Sequence, residues 1–532
     1  MASNENNLKA SEDQQAIVIK LYFNREYEEA LSVLDSLNQN FPNDPTLFIF
    51  GGDCYLALKQ YELAISCYEE ALKLSPENIV IYLKKIHVLH STQNIEEALD
   101  VCIEAIKVSP DNSDLYLTQG NILHDLDQFE KAIDSYNKVI NLNPNSAFGF
   151  CDKSYSLIEL RKFDEAVACA KKAIQIKNDF SLAFFNLGTA LMHLRSFDLS
   201  VESFNRAIKL EPDSAKYEHA KAILLLLFGK FKKGWSLLES RWRLDNLSSP
   251  KLETTRPRWT GAKNIKLLVW GEQGVGDQIM YSALLPDLSE ICSDINVKVE
   301  PRLVSLLNRS MGDKCTFYPE NKSLPFKYDE HIAMGSLCQY LRCDEKSFET
   351  SRYGFLKDDI LKTAEIKKDI IDLAPLSNKI CGISWRSVSV NTGIHKTIPL
   401  KYFIEALDLK GYTFVSLQYG DTEDEIKEVK NELGINIVSY TKVDNFNDID
   451  GLTSLIQACD TVISVDNITC QLAGALGKEI HVLLTYGSWW GWMVDRGDSP
   501  WYESVKIYRQ ELNQDWPSSF SEVKKNLSDK KI

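Results

Sequence analysis

The sequence predicts an all-α repeat solenoid followed by a two-lobed α/β domain. Three observations carry that expectation. Prolines 42, 76, 110, 144 and 212 are separated by 34 residues or a multiple of 34, a self-similarity that marks stacked helical units. From Ile265 the pattern changes to short apolar runs separated by helix-like stretches, as buried parallel strands require. A charged, helix-like passage over 356–375 then splits this second half into comparable lobes.

Composition sets the outer bounds. Of 532 residues, 44% are hydrophobic, 10% aromatic and 25% charged, enough apolar material for several cores and too much for a disordered chain. The formal net charge of −15 repels nucleic-acid phosphates and anionic lipid, so nonspecific binding to either is disfavoured. The N-terminus MASNENNLKASEDQQA lacks the basic-then-apolar layout of a secretory signal, and no apolar run approaches the roughly 20 residues that cross a bilayer. The twelve cysteines stand singly, without CxxC pairs or His partners at zinc spacing. They read as reduced core thiols in a cytoplasmic protein without a metal site.

The repeat is written in three columns. Alanines fall at 30, 64, 98, 132 and 166, with Ser200 next, and Tyr27, Tyr61, Ile95, Phe129, Phe163 and Phe197 precede them by three. A large apolar residue, a small one and then a proline fit two antiparallel helices that approach closely and stop. Glycines 52, 120 and 188 mark the crowded crossing on the first helix. This pattern resembles the tetratricopeptide repeat, in six units over about 11–214, and the resemblance implies a concave face that takes a protein or peptide partner. The groove-lining positions of that family read Phe50, Lys84, Thr118, Asp152 and Asn186. The O-linked N-acetylglucosamine transferases, which this architecture resembles, line their groove with asparagines, and only Asn186 matches. Residues 215–245, with Trp235, Glu239, Arg241 and Trp242, are expected to be capping helices whose tryptophans dock the array onto the second half of the chain. Periodicity is lost over 246–263, the expected linker.

In the second half, IKLLVW, INVKVE, KICGIS, YTFVSL, TVISV and IHVLL are the candidate buried strands, and ligands of parallel sheets bind beyond strand carboxyl ends. Three turns therefore draw notice. The first, GEQGVGDQIM, brings Gly274, Gly276 and Asp277 to a helix start, where free N–H groups receive an anion. It lacks the Lys-Ser/Thr of a P-loop and the third glycine of a dinucleotide fingerprint. The second, SVDNITCQLAGALGK, carries Asp466 as the expected helix cap or as an acceptor for sugar hydroxyls. The third, GISWRSVSVNTGIHKTIPLKYF, supplies Arg386, His395 and Lys396, a positive pocket suited to phosphate.

The motifs WTG, EQGVGDQI, GISWR, SLQ, SVDNITCQLAGALGK and DSPWYESVKIYRQ, in that order over about 256–516, resemble the glycosyltransferase domain of bacterial tetratricopeptide proteins related to the ADP-heptose heptosyltransferases. The resemblance implies a GT-B architecture, with an acceptor lobe over 264–360 and a donor lobe over 376–532. It also implies inverting transfer from a nucleotide sugar, with no metal or other cofactor. On that resemblance Asp277 is the general base and Lys396 neutralises donor phosphates. Gly274, Gly276, Ser384, Trp385, Arg386, Gln418 and Asp466 complete the donor site. Asn467 and Gln471 stand where the family has Thr and His, and Gln cannot carry positive charge. The leading expectation is thus a transferase acting on a protein recruited by the repeats. The alternatives are an adaptor with a non-catalytic sugar-nucleotide-like domain, and transfer to a glycan or lipid-linked saccharide with the repeats serving assembly.

Overall fold

Helix starts keep the 34-residue register throughout the first half. The computed structural model describes residues 16–245, 249–349, 353–374, 379–387, 396–487, 489–512 and 515–528, and contacts divide the chain into two compact units, Met1–Pro212 and Asp213–Ile532. In the first unit, first helices of each hairpin begin at Pro45, Ile79, Ser113, Ala147 and Ser181, and second helices at Tyr27, Tyr61, Ile95, Phe129, Phe163 and Phe197. First helices are capped by Asp44, Asn78, Asn112 and Ser146, whose side chains accept N–H groups of the first turn, which satisfies donors the helix cannot.

Each first helix ends in one way. Arg25, Lys59, Gln93, Asp127, Arg161 and Arg195 all have φ between +57° and +66°. The next N–H reaches back to the last turn, as from Gln60 to the Tyr55 carbonyl and from Gln128 to that of Leu123, both at 2.8 Å. That is a left-handed closure of the Schellman type. The alanines at 30, 64, 98, 132 and 166 are fully buried, so the small-residue column is the helix contact that its spacing predicts. At the crossing, a Cβ on Gly52 would lie 2.4 Å from a Tyr68 ring carbon, and one on Gly120 equally close to Tyr136. The two columns compensate in volume. Gly52, Ile86, Gly120, Ser154 and Gly188 stand sixteen residues before Tyr68, Cys102, Tyr136, Ala170 and Phe204, so the largest rings fall opposite glycine.

The second unit opens with the helices Ala215–Leu227 and Phe231–Leu238, which keep the 34-residue register, including a left-handed residue at Gly229. Their aromatic side chains pack on the α/β part. Trp235 donates to the Arg342 carbonyl at 2.7 Å and meets Trp490 edge-on, while Trp242 lies against Trp270.

The rest of this unit is built on two parallel sheets. The first contains β1 (Lys266–Trp270), β2 (Asp294–Val299), β3 (Thr316–Pro319) and β4 (Glu330–Ala333) in the order β3-β2-β1-β4. The second contains β5 (Lys379–Ser384), β6 (Tyr412–Ser416), β7 (Ile437–Val438), β8 (Thr461–Val465), β9 (Ile480–Leu484) and β10 (Val505–Arg509) in the order β10-β9-β8-β5-β6-β7. Counted from its own first strand, each sheet has the doubly wound order, which reverses beside that strand and opens a crevice there. All six runs read as strands are β-strands. The charged passage of 356–375 forms the helix Ile360–Leu373, joined to the second sheet's layer by Lys362–Asp448 at 2.9 Å and Tyr440–Asp369 at 2.8 Å.

The stretch expected as a linker is fastened down where it is described. Residues 257–259 run beside β4, with the Trp259 N–H donating to the His331 carbonyl at 2.8 Å and the His331 N–H to the Pro257 carbonyl at 3.1 Å. Trp259 is buried, and Arg258 pairs with Glu239 at 2.6 Å. An unpaired sheet edge and a large aromatic explain why a segment without periodicity is nonetheless ordered. No helix among the described residues is long and apolar enough to cross a membrane.

Candidate active site

The turn after β1 is set by a buried ion pair. Glu272 receives Arg241 through both carboxylate oxygens, at 2.8 and 2.7 Å, and also accepts the Gly335 N–H at 2.9 Å. Arg241 further donates to Ser336 at 3.0 Å and Glu239 at 2.8 Å. So many hydrogen bonds are what make a pair with both side chains 1% exposed tenable. From this fixed point the chain turns through Gln273, at φ +61°, into the helix Val275–Ser282.

Asp277 lies in that helix's first turn, and its Oδ2 accepts the Gly274 N–H at 3.1 Å. Burial pushes its carboxyl up to about 6, the Gly274 N–H opposes that rise, and the neighbouring charges of Glu272 and Asp466 add to it. Such a carboxylate is ionised at neutral pH yet basic enough to take a proton.

The turn after β8 differs from its sequence reading in one respect: the helix cap is Asn467, whose Oδ1 accepts the Thr469 N–H at 2.9 Å. Asp466 is left to point elsewhere. Its Oδ2 meets Lys396 Nζ at 2.7 Å and its Oδ1 accepts from Trp492 Nε1 at 2.8 Å. Asn467 also donates to Ser384 Oγ at 2.7 Å and to the Arg386 carbonyl at 3.1 Å. Gln418 Oε1 accepts from Ser384 Oγ and from the Trp385 and Arg386 N–H groups, each at 3.0 Å. Trp385 and Arg386 both donate to Glu425, at 3.0 and 2.9 Å. This network holds the β5 turn in place.

A cavity of about 420 Å³ opens at these turns, walled in part by Asp277, Arg302, Lys396, Asp466, Gln471 and Trp489. Of the residues expected to bind donor, Gly274, Gly276, Lys396, Asp466, Asn467 and Gln471 line it, whereas Ser384, Trp385, Arg386 and Gln418 do not. Arg386 is drawn off by Glu425, and the other three form the scaffold behind Asn467. His395 lies outside the described residues. Gln471 accepts a 2.8 Å hydrogen bond from Tyr502, and the two turns touch where Gly276 faces the Gln471 side chain. Arg302 is a second cation that the sequence reading missed. It donates to Glu300 Oε1 and to the Phe446 carbonyl, both at 2.8 Å. Glu272 was also missed, although a charge directly after the apolar run LLVWG was a signal for a buried pair. Among the described residues no group of three or more His, Cys, Asp or Glu side chains is placed to hold a metal ion.

Family models of the tetratricopeptide repeat match residues 52–78, 113–146 and 151–215. The chain is 30% identical over 336 residues to Protein FlbA of Caulobacter vibrioides, a match that takes in 60% of this chain and 56% of that protein. It therefore spans little more than half the relative's length. Solved structures to which the chain is similar include YrrB, described as a TPR protein with an unusual peptide-binding site, at 22% identity over 35% of this chain and 97% of that one, with a TM-score of 0.30. Others are MamA, at 24% identity, 33% and 95% coverage and a TM-score of 0.29, and PilF of Pseudomonas aeruginosa, at 16%, 40%, 97% and 0.34. With the family models falling on its 34-residue hairpins, the first unit is an all-helical array of tetratricopeptide repeats.

Proposed function

We propose that the second unit is a GT-B-type glycosyltransferase that moves a sugar from a nucleotide-sugar donor to an acceptor, and that the repeats recruit this acceptor as a protein. The observation that carries the reading is the single cavity onto which the turns after β1 and β8 open, with a carboxylate of raised basicity and two cations in its wall. Asp277 takes the proton of the acceptor hydroxyl, whose oxygen then forms the new bond to the anomeric carbon from the face opposite the departing diphosphate. The bond from that carbon to the diphosphate oxygen breaks, and the sugar's configuration inverts. Lys396, Arg302 and the dipole at the start of helix Ile468–Ala475 offset the charge that develops on the leaving group. The donor sits mainly on the lobe of β5–β10 and the acceptor approaches the lobe of β1–β4.

Asp277→Asn tests this. The amide keeps the side chain's size but cannot take a proton, so sugar transfer should fall by roughly two to four orders of magnitude, with donor affinity by calorimetry little changed. Unchanged turnover would remove Asp277 as base. A second reading, an adaptor with a non-catalytic second unit, draws on Lys396 and Gln471 being already engaged by Asp466 and Tyr502. A panel of nucleoside diphosphates separates the two. Binding at 100 times Kd stabilises the protein by about 2.7 kcal/mol, and a flat thermal-shift response to every member would favour the adaptor.

A further inference from the structure

The first unit holds a cavity of its own, about 490 Å³, formed where three successive first helices, Ile79–Ser91, Ser113–Asp125 and Ala147–Glu159, face the same space. Its floor is apolar, with Leu83, Ile86 and Ile122. Its polar wall is almost fully engaged. His90 Nε2 lies 2.6 Å from Asp125 Oδ2, His124 Nδ1 lies 2.8 Å from Ser156 Oγ, and Tyr136 donates to Asn121 at 2.8 Å. The exceptions are His87 and Asp152, and the Asp152 carboxylate makes no hydrogen bond or ion pair with any described residue. The adjacent Lys153 does not serve it, because its Nζ donates to Asn137 at 2.7 Å.

A partly buried carboxylate without a partner is costly, and the cost is removed by a cation that brings its own hydrogen-bond donors. The cavity lining contains neither Lys nor Arg, and of its histidines His90 is held by Asp125 and His124 by Ser156, so the wall supplies no permanently charged cation. We infer that this cavity receives a cationic side chain, arginine or lysine, from an extended segment of a partner protein, its methylene stem on Leu83, Ile86 and Ile122 and its head on the Asp152 carboxylate. The rings of Tyr155 and the histidines give the head polarisable faces. Burial pushes the Asp152 carboxyl up to about 7, so an incoming positive charge also fixes its ionised form. Asn186, one repeat on, is no rival. It is buried and donates to the Cys151 carbonyl at 3.0 Å and to Ser154 at 3.1 Å.

The inference rests on the repeats recruiting a protein, not on sugar transfer, and the test keeps these apart. A displayed library of random dodecapeptides is selected on the full chain, on Asp152→Asn, and on Thr118→Lys, which offers the cavity an internal cation; circular dichroism checks that both variants are folded. Peptides selected on the unaltered protein should share a basic residue at one position, and both variants should lose that preference. In a resynthesised peptide, replacing the shared basic residue by the neutral citrulline should weaken binding about tenfold or more to the unaltered protein and not to Asp152→Asn. Selected peptides without a shared basic residue, or equal binding of both peptides to the unaltered protein, would overturn the cationic site while leaving peptide recruitment standing. No enrichment on any of the three proteins would overturn both.

Discussion

Asp277 and Asp152 show what burial does to a carboxyl that lacks a cation. For Asp277, held at about 6, transfer should rise with pH through about 6 as the base ionises, and a pH–rate profile would show that limb. For Asp152 the consequence is stability. Its folded-state value of about 7 lies above the ordinary 3.8, so its favourable contribution is complete below about 4 and is lost as pH rises through about 7. Asp152→Asn should therefore melt above the unaltered protein at pH 8, by about 2–4 °C for each 1 kcal/mol removed, and the gap should close toward pH 4. Lys396→Ala should weaken nucleoside diphosphate affinity far more than nucleoside affinity, because a point charge acts on phosphate and not on base; equal losses in calorimetry would take Lys396 out of the phosphate site. The lining residues Gly274, Gly276, Lys396, Asp466, Asn467 and Gln471 were legible because they lie in the turns and helix starts that follow strands, Lys396 twelve residues past β5. The direction of a side chain was not. Nothing local in GISWR tells that Glu425, 39 residues on, holds Arg386, and Arg241 and Glu272 meet only through the tertiary fold.

Neighbouring glycines of one helix make the packing logic measurable. A Cβ on Gly51 meets only Cys67 Sγ at 3.5 Å, ordinary contact, whereas on Gly52 it strikes the Tyr68 ring at 2.4 Å. Gly51→Ala should therefore stabilise by about 0.5–1 kcal/mol through the lost flexibility of glycine, and Gly52→Ala should destabilise by about 1–3 kcal/mol. Thermal melts of the two variants should move in opposite directions. At this scale the helices of the first unit were almost wholly legible, since every hairpin repeats the same requirement. The strands that escaped notice explain themselves: β3 ends in proline, β4 is EHIA with two polar residues in four, β7 has two residues, and β10 alternates with Lys506. A sheet neighbour fixes such segments, and their own apolar content does not. The cap moved by one residue, from Asp466 to Asn467, because the aspartate is held by Lys396 and Trp492.

For the whole chain, the boundary between units falls at Pro212 and Asp213, ahead of the segment that its loss of periodicity had suggested. A fragment of residues 213–532 keeps Arg241 opposite Glu272, while one of residues 246–532 leaves Glu272 buried without its counter-charge. The shorter fragment should be less stable by about 3–5 kcal/mol, read as an earlier urea midpoint. Equal midpoints would show that the helices before β1 contribute nothing to the α/β fold. The left-handed closure that recurs from Arg25 to Gly229 has a different kind of consequence. It is a shape of the main chain that Arg, Lys, Gln, Asp and Gly all adopt here, so no turn records which hairpin it belongs to. Copy number is thereby free to drift in the gene: the loss or duplication of a 34-residue block rejoins the same geometry at the seam, whereas an insertion of any other length throws every later hairpin out of step.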